Sequence, residues 1–293
     1  MPFKDPRAIT VAGAQTGATK AALSPAKAIV AGFLGGAYIA FGGLVAISVS
    51  SGLKPETWGT LPTLFTGATF ALGLVLCVIA GSELLTGNMA LVPLAALRRR
   101  ASWRAVSMNF TWVLIGNLIG SLFVAYFLAV KTGVLTAELP LQRLASIAKA
   151  KGETETDYQI FLRAVGCNWL VCLAVWMALA ADDIGGKILA IFFPILAFVA
   201  IGFDHVVANM FFIPAAIFAH VPGIGWDDAI RNWIFAFLGN LVGAGVFVAG
   251  IYYYLYGRDD ADEPGDAPSG DGRFDRATAM SSAADARPAR THP

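Results

Sequence analysis

Long apolar runs alternate with short polar connections along most of this 293-residue chain. A helix needs about 20 apolar residues to cross the hydrocarbon core of a bilayer. Four runs have this length, and each of them predicts one spanning helix: 29–49, 106–130, 161–181 and 230–254. The pattern therefore predicts a chain that lies largely within a membrane.

Two further apolar runs, 61–97 and 187–220, are too long for one straight spanning helix and too short for two. Each contains a polar interruption with glycine, GSELLTGN at 81–88 and GFDHVVAN at 202–209. We interpret each run as one span built from two half-helices with irregular backbone between them. The expected fold is an all-α integral membrane protein with six transmembrane helices, the second and fifth broken at mid-membrane.

The two interruptions are copies of one another. GSELLTGNMALVP (81–93) aligns with GFDHVVANMFFIP (202–214), and NFTWVLIGNLIG (109–120) aligns with NWIFAFLGNLVG (232–243). The offset between the copies is 121 residues in the first alignment and 123 in the second. The chain is therefore predicted to contain an internal duplication.

The duplication implies a particular geometry. The repeats, about 27–130 and 160–256, hold three spans each, so the second copy enters the bilayer from the opposite side. This predicts an inverted 3+3 repeat whose broken helices meet near the membrane midplane. Transporters of this kind bind substrate there, with the positive ends of half-helices directed at the site.

The composition agrees with a membrane protein and argues against a soluble domain or a nucleic-acid-binding protein. The chain is 57% hydrophobic and 14% charged, whereas about a quarter of the residues of soluble domains are charged. A net charge of +1 without basic and aromatic clusters gives no indication of nucleic-acid binding. The cysteines Cys77, Cys167 and Cys172 lie in apolar runs, which is typical of core residues rather than disulfides or metal ligands.

Charges outside the spans predict the orientation. Lys20, Lys27 and the four arginines of 98–104 flank spans on the side that both termini share. Because positive residues are enriched in cytoplasmic flanks, we expect both termini in the cytoplasm. The expected location is the inner membrane of a bacterial cell.

The chain divides into three regions by composition. Residues 1–26 predict a helix that lies at the membrane interface. Residues 27–257 form the transmembrane domain. Residues 258–293 hold almost no large apolar side chains, which predicts a disordered cytoplasmic tail.

Matched polar residues in the two copies indicate structural roles. Glu83 and Asp204 occupy the same position, and we expect each acid to accept hydrogen bonds from free backbone N–H groups of its break. Asn88 and Asn209 are also matched and are expected to cap the outgoing half-helices.

Three more asparagines lie within the spans. Asn117 and Asn240 are matched between the copies, each beside a glycine, and are expected to brace the breaks. Asn168 has two interpretations that the sequence leaves open. It either lines a pore opposite His205 or forms hydrogen bonds that hold helices together.

The copies differ at one informative position, where Leu84 corresponds to His205. The scaffold therefore has an acid at the preceding position in both copies but a histidine in only one. A histidine that is merely buried and hydrogen-bonded is the alternative. Ionisable residues within membranes commonly mark functional sites, and histidine titrates near neutral pH. We therefore expect His205 to bind an anion or to pass it a proton.

At these residues the chain resembles the formate/nitrite transporter family, over about 20–256. The resemblance is carried by AGFLGGAYIAFG, GATFALGLVLCVIAGSELLTGN, CNWLVCLAVWMA and FVAIGFDHVVANMFFIP. It implies an aquaporin-like fold and a homopentamer with one pore in each protomer. It also implies transport of small monovalent anions of weak acids, formate first and nitrite next, with protons as a further partner.

The resemblance assigns roles residue by residue. His205 matches the central pore histidine of the family, Thr86 the threonine that contacts it or the substrate, and Asn168 the pore asparagine. Lys151 matches a lysine of the outer vestibule, and Asp204 stands where the family usually has glutamate. The residues that match the apolar constrictions are Phe70, Leu74, Leu84, Val171 and Phe198.

Other functions are less consistent with the sequence. A pore for neutral solutes such as water or glycerol is one alternative, but the paired NPA motifs of such pores are absent. An intramembrane enzyme would have to use Asp204 and His205, whose side chains point apart because the residues are adjacent, and no second nucleophile or metal cluster is evident. A purely structural scaffold would have no need of two broken polar helices. We expect no enzymatic activity, no cofactor and no metal.

Overall fold

The computed structural model describes residues 3–258, so the predicted tail at 258–293 lies outside the described residues except for its first residue. Regular structure in the described range is helical apart from one isolated bridge between Phe3 and Ala181. The helices in that range are α1 Pro6–Ala21, α2 Pro25–Ser50, α3 Pro55–Trp58, α4 Leu61–Val75, α5 Leu85–Leu97, α6 Trp103–Phe123, α7 Glu138–Lys149, α8 Asp157–Ala180, α9 Ile184–Ala200, α10 Val206–Phe218 and α11 Trp226–Ala244.

Several helices continue as π-helical turns, in which the backbone hydrogen bonds span five residues instead of four. These turns cover Leu76–Gly81 after α4, Val124–Val130 after α6, Ala150–Thr154 after α7, and Gly245–Gly250 and Tyr253–Gly257 after α11.

Among the described residues, five helices are long and apolar enough to cross a membrane: Pro25–Ser50, Leu61–Gly81, Trp103–Val130, Asp157–Ala180 and Trp226–Gly257. The apolar run at 187–220 adds no such helix, because its residues are divided between α9 and α10, which are shorter. The run at 61–97 is divided in the same way, but its first part, Leu61–Gly81, is itself long enough.

Glycines end the helices at both divisions. Gly81 has φ +85° and Gly202 has φ +78°, a left-handed conformation that glycine adopts without a steric cost. The chain is then extended as far as Leu84 and His205, and new helices begin at the next residue in each case. The two divisions therefore have the same local structure.

Small residues bring two pairs of helices into close contact. A Cβ atom on Gly120 would lie 2.0 Å from the carbonyl oxygen of Phe33, so α6 lies directly against α2. A Cβ atom on Gly243 would lie 2.3 Å from the carbonyl oxygen of Val165, so α11 lies as close to α8. These contacts place the side chains of Asn117 and Asn240 against the backbone of the neighbouring helices.

Two ends of the molecule can be distinguished. Helix α1 packs on α5, where a Cβ atom on Gly17 would lie 1.9 Å from the carbonyl oxygen of Leu91. Arg100 donates to Gln15 at 2.8 Å and holds the loop after α5 beside α1. We call this the α1 end. The opposite end is covered by α7 and its extension, and we call it the α7 end.

Candidate functional site

The centre of the candidate site is a contact between the two divided segments. His205 directly precedes α10, and Thr86 lies in the first turn of α5. The Nε2 atom of His205 is 2.8 Å from Oγ1 of Thr86, and their residues are 2% and 0% exposed. The N-termini of α5 and α10 therefore meet at this pair, and both bring partial positive charge to it.

The backbone around His205 fixes its tautomer. The N–H group of Ala208 donates to Nδ1 at 3.1 Å, so His205 is the N-cap of α10. A neutral imidazole that accepts at Nδ1 carries its proton on Nε2. The Nε2–H group therefore donates to Thr86 Oγ1. The ring of Phe198 stacks on the imidazole with centroids 6.0 Å apart.

Two asparagines bridge the chain divisions in the same way. Nδ2 of Asn117 donates to the carbonyl oxygens of Gly32 and Glu83 at 2.7 and 2.8 Å, and its Oδ1 accepts from the N–H of Leu85 at 2.9 Å. Buried backbone N–H and C=O groups that have no helical partner at the division are therefore hydrogen-bonded to Asn117.

The second copy repeats this arrangement. Nδ2 of Asn240 donates to the carbonyl oxygens of Ala164 and Asp204, both at 2.9 Å. Its Oδ1 accepts from the N–H of Val206 at 2.9 Å. Each asparagine therefore links a neighbouring helix to the extended segment of its division and to the start of the helix that follows.

The prediction that Asn88 and Asn209 cap the outgoing half-helices is wrong. Both asparagines lie one turn inside their helices, beyond the N-cap positions of Leu84 and His205. Their Nδ2 atoms donate to the acids instead, at 2.7 Å from Asn88 to Glu83 and 2.8 Å from Asn209 to Asp204. They also donate to Oδ1 of Asn109 and of Asn232, respectively, on α6 and α11.

The acids also have other partners than expected. Each bonds to a lysine and an asparagine rather than to free backbone N–H groups of its break. Nζ of Lys20 is 2.7 Å from Glu83, and Nζ of Lys151 is 2.9 Å from Asp204. The reason is that Asn117 and Asn240 already occupy the backbone N–H groups at Leu85 and Val206 in the same places.

These contacts form two matching clusters of lysine, acid and asparagines. In the first, Asn109 donates to the carbonyl oxygen of Lys20 at 2.9 Å, and in the second Asn232 donates to that of Lys151 at 3.1 Å. The sequence alignment pairs Asn109 with Asn232 but contains neither lysine, so the equivalence of Lys20 and Lys151 was not predicted. The lysines come from α1 and from the extension of α7, so each end of the molecule supplies one.

Asn168 on α8 joins the same buried network. Its Nδ2 donates to the carbonyl oxygen of Asn240 at 2.8 Å and to that of Thr86 at 3.2 Å. Cys172, one turn later, lies with its Sγ 3.3 Å from the same Thr86 oxygen. Of the two interpretations left open, these contacts favour hydrogen bonding between helices.

Two cavities approach the His205–Thr86 pair from opposite ends. The cavity at the α1 end has a volume of about 860 Å³, and its lining includes Lys20, Leu74, Glu83, Leu84 and Gly87. The cavity at the α7 end has a volume of about 340 Å³, and its lining includes Phe70, Arg143, Lys151, Phe198 and His205. Because Gly87 follows Thr86 directly, the pair lies where the two cavities come closest.

The residues matched to apolar constrictions lie on both sides of the pair. Phe70 and Phe198 contact each other edge to face, with centroids 6.0 Å apart, beside His205. Leu74 and Leu84 line the opposite cavity. Val171 is buried on α8 at 1% exposed and lines neither of these two cavities.

Three charged residues at the α7 end were missed by the sequence analysis. Arg143 donates to Ser50 Oγ at 3.2 Å and to Thr66 Oγ1 at 3.1 Å, and Arg163 is paired with Glu155. All three charged side chains line the cavity that contains His205. They lie outside the four aligned stretches at 81–93, 109–120, 202–214 and 232–243, so the sequence carried no signal that would have singled them out.

Burial and neighbouring charges shift the pKa values of two residues at the α7 end. Burial raises the pKa of the Glu155 carboxyl to about 7, with the charge of Lys151 opposing the shift and that of Asp204 reinforcing it. Burial lowers the pKa of Lys151, but the carboxylates of Asp204 and Glu155 outweigh it and hold that pKa above its ordinary value. Lys151 is therefore a permanent cation.

The chain matches a known protein family over most of its length. The family described as Formate/nitrite transporter matches residues 7–254. The chain belongs to the formate/nitrite transporter family. With its apolar helices, this makes it an integral membrane protein.

Curated relatives agree with this membership. A probable formate transporter of Methanothermobacter thermautotrophicus is 50% identical over 245 residues, covering 78% of this chain and 89% of the relative. An uncharacterized transporter, YrhG of Bacillus subtilis strain 168, is 47% identical over 261 residues, covering 89% and 96%. Both relatives are named as transporters.

A solved structure extends the similarity to three dimensions. A pentameric formate channel with formate bound superimposes with a TM-score of 0.70 at 30% identity, covering 79% of this chain and 96% of that one. Among the residues that the structure describes, no group of three or more His, Cys, Asp or Glu side chains could hold a metal ion.

Proposed function

We propose that this family member is a membrane channel or transporter for small monovalent anions of weak acids, with formate as its main substrate and nitrite next. The observation that carries the proposal is the His205–Thr86 pair, at which two helix N-termini meet between two cavities. Helix N-termini attract anions, and Lys20 and Lys151 add positive charge at the two cavities. The substrates follow from the family description and from the names of its relatives.

His205 is the residue proposed to act on the anion. Its Nε2–H group can donate to an anion in place of Thr86, or transfer a proton to it. A charge at the centre of a bilayer costs several kcal/mol. Protonating a weak-acid anion in transit removes much of that barrier, so protons are the second proposed substrate.

The surrounding residues have supporting roles in this proposal. The apolar constrictions exclude water on either side of His205 and can gate by dewetting. Asn168 holds the half-helices together beside the pore, and Lys151 raises the positive potential of the α7-end vestibule. The residues proposed to stabilise the breaks are Glu83, Asn88, Asn117, Asp204, Asn209 and Asn240.

The proposed arrangement in the membrane has six spans in an inverted, aquaporin-like 3+3 repeat. Helices α4 and α5 form one broken span and α9 and α10 the other. The identical bonding of Asn117 and Asn240 supports this arrangement, because it relates the two halves residue by residue. We further propose that both termini are cytoplasmic in a bacterial inner membrane and that α1 lies near its interface, so the α7 end faces outward.

Assembly as a homopentamer is also proposed. Its support is the pentameric formate channel that resembles this chain. Large apolar side chains exposed on the single chain, such as Phe127, Leu189, Phe193, Ile234 and Val246, suit contacts with lipid or with neighbouring copies.

A substrate panel in proteoliposomes tests the proposed function. Purified full-length protein should admit formate and nitrite well above protein-free liposomes, more so as external pH falls, and should leave glycerol flux at the background level. Glycerol or water flux without anion flux would contradict the proposal and favour a neutral-solute pore.

A further inference from the structure

The two ends of the molecule match in their lysine clusters but differ in the residues beside those clusters. Asn117 donates to the carbonyl oxygen of Gly32 on α2, and Asn240 donates to that of Ala164 on α8. Pairing Gly32 with Ala164 aligns α2 and α8 residue by residue. In the same register Glu155 corresponds to Leu23, and Arg163 corresponds to Ala31. The division at the α1 end has the same local structure although both of these positions are apolar there. The Glu155–Arg163 pair is therefore not needed to stabilise a division and has another role.

The geometry of Glu155 points to a bound proton. The residue is 5% exposed, and its Oε1 accepts from Nη1 of Arg163, while Oε2 has no hydrogen-bond partner among the described residues. Oδ2 of Asp204, also buried, likewise has no partner there. The two side chains are close enough to share a hydrogen bond. Two carboxyl groups can form one only if one of them carries a proton, and that proton would satisfy both groups.

The charged groups around Glu155 come from every neighbouring element. Lys151 is on the extension of α7, Arg163 on α8 and Asp204 before α10. From α11, Arg231 donates to the main-chain oxygen of Glu155 at 2.7 Å and is itself paired with Asp157. Burial raises the pKa of Glu155 and Asp204 adds to the rise, whereas the charges of Lys151 and Arg163 oppose it, and the resulting pKa is about 7. The group therefore changes its charge near neutral pH.

We propose that Glu155 is a proton-binding residue of the α7-end cavity, which shares its proton with Asp204 and thereby sets the charge that an entering anion meets. With the proton bound, Lys151 and Arg163 face a single carboxylate. When the proton leaves for bulk water, they face two, so the cavity loses one unit of positive charge. The proposal rests on the proposed function in one respect, because this charge affects transport only if anions enter by this cavity.

An infrared titration tests proton binding without relying on transport. The full-length protein in liposomes should lose a protonated-carboxyl absorption as the pH rises through about 7. The absorption should be missing in Glu155→Gln. It should remain in Glu153→Gln, which alters an exposed acid in the same turn and serves as the matched control. A wild-type protein without a carboxyl that titrates near neutral pH, or an unchanged titration in Glu155→Gln, would overturn the proposal.

Transport measurements test the effect of the bound proton. With formate applied on the side of the α7 end, the apparent KM of the wild type and of Glu153→Gln should rise severalfold between about pH 6 and about pH 8, as expected for one charge lost at close range. Glu155→Gln should keep the low value at both pH values. The same pH dependence in Glu155→Gln would overturn the role in anion entry. Absence of flux from the wild type would contradict the proposed function instead, and the infrared titration would still decide whether Glu155 holds a proton.

Discussion

Leu84 and His205 occupy the same position in the two copies, and both precede a helix that begins at the next residue. Only the histidine can cap its helix, accept a proton and donate to Thr86. The two copies therefore share a backbone position at which only one of them has a side chain that can bind a proton. This difference could be read from the sequence because the duplication is visible there.

The lysine–acid pairs have a testable consequence for stability. Lys151→Met would leave Asp204, whose side chain is 0% exposed, as a buried charge without its main partner. Breaking a buried pair costs about 3–5 kcal/mol. The matched variant Lys20→Met should cost less, because the side chains of Lys20 and Glu83 are 18% and 10% exposed.

Thermal unfolding in detergent would measure both variants. Adding Asp204→Asn to Lys151→Met should recover part of the lost stability, because it removes the stranded charge. Equal losses in Lys151→Met and Lys20→Met would contradict the difference in burial that the structure gives the two pairs.

At the scale of elements, the helix interruptions were accessible from sequence because glycine, acid and asparagine recur at one offset. The partners of those residues were not. Asn88 was expected to cap a helix, yet the helix begins at Leu85, three residues earlier, and Asn117 supplies the bond. Cap positions depend on where the backbone turns, and the residue pattern does not fix that point.

The lysines that pair with Glu83 and Asp204 could not be predicted from the sequence for a different reason. Lys20 and Lys151 lie on α1 and on the extension of α7, outside both aligned segments. Only the fold brings them to equivalent positions. Glu155, Arg143 and Arg163 were missed for the same reason, since contacts between distant segments leave no periodic pattern in a single sequence.

Close contact between helices gives a prediction at this scale. In Gly243→Ala the added methyl group would lie 2.3 Å from the carbonyl oxygen of Val165, so α11 must move away from α8. Overpacking of this kind costs about 1–3 kcal/mol. Gly245→Ala, two residues further on, meets nothing within 4 Å and is the matched control.

The control variant should be neutral or slightly more stable, because alanine favours helix by up to about 1 kcal/mol over glycine. Thermal unfolding of both variants in detergent checks this pair. A destabilised Gly245→Ala, or an unaffected Gly243→Ala, would show that α8 and α11 do not pack as described.

At the scale of the whole molecule, the two halves have similar backbone structure at their divisions but different charged residues around their cavities. Matching clusters hold both chain divisions, but the other charged residues that line the cavities differ: Arg143, Glu155 and Arg163 at the α7 end, and Lys27 and Lys187 at the α1 end. A symmetric scaffold with one histidine at its centre suits a route that an ion can follow from either end. The buried carboxyl of Glu155, beside Arg163 at the α7 end, suits control of entry from that side.

The most direct test of the account compares two histidines. His205→Asn removes the proton-binding ring from the proposed route, whereas His220→Asn makes the same change at a turn after α10, where φ is +57° and asparagine is tolerated. In proteoliposomes with a pH gradient, His205→Asn should lower formate flux at least tenfold, the factor that corresponds to about 1.4 kcal/mol of barrier. His220→Asn should retain wild-type flux. Wild-type flux and pH dependence in His205→Asn would contradict the central claim that transport depends on this imidazole.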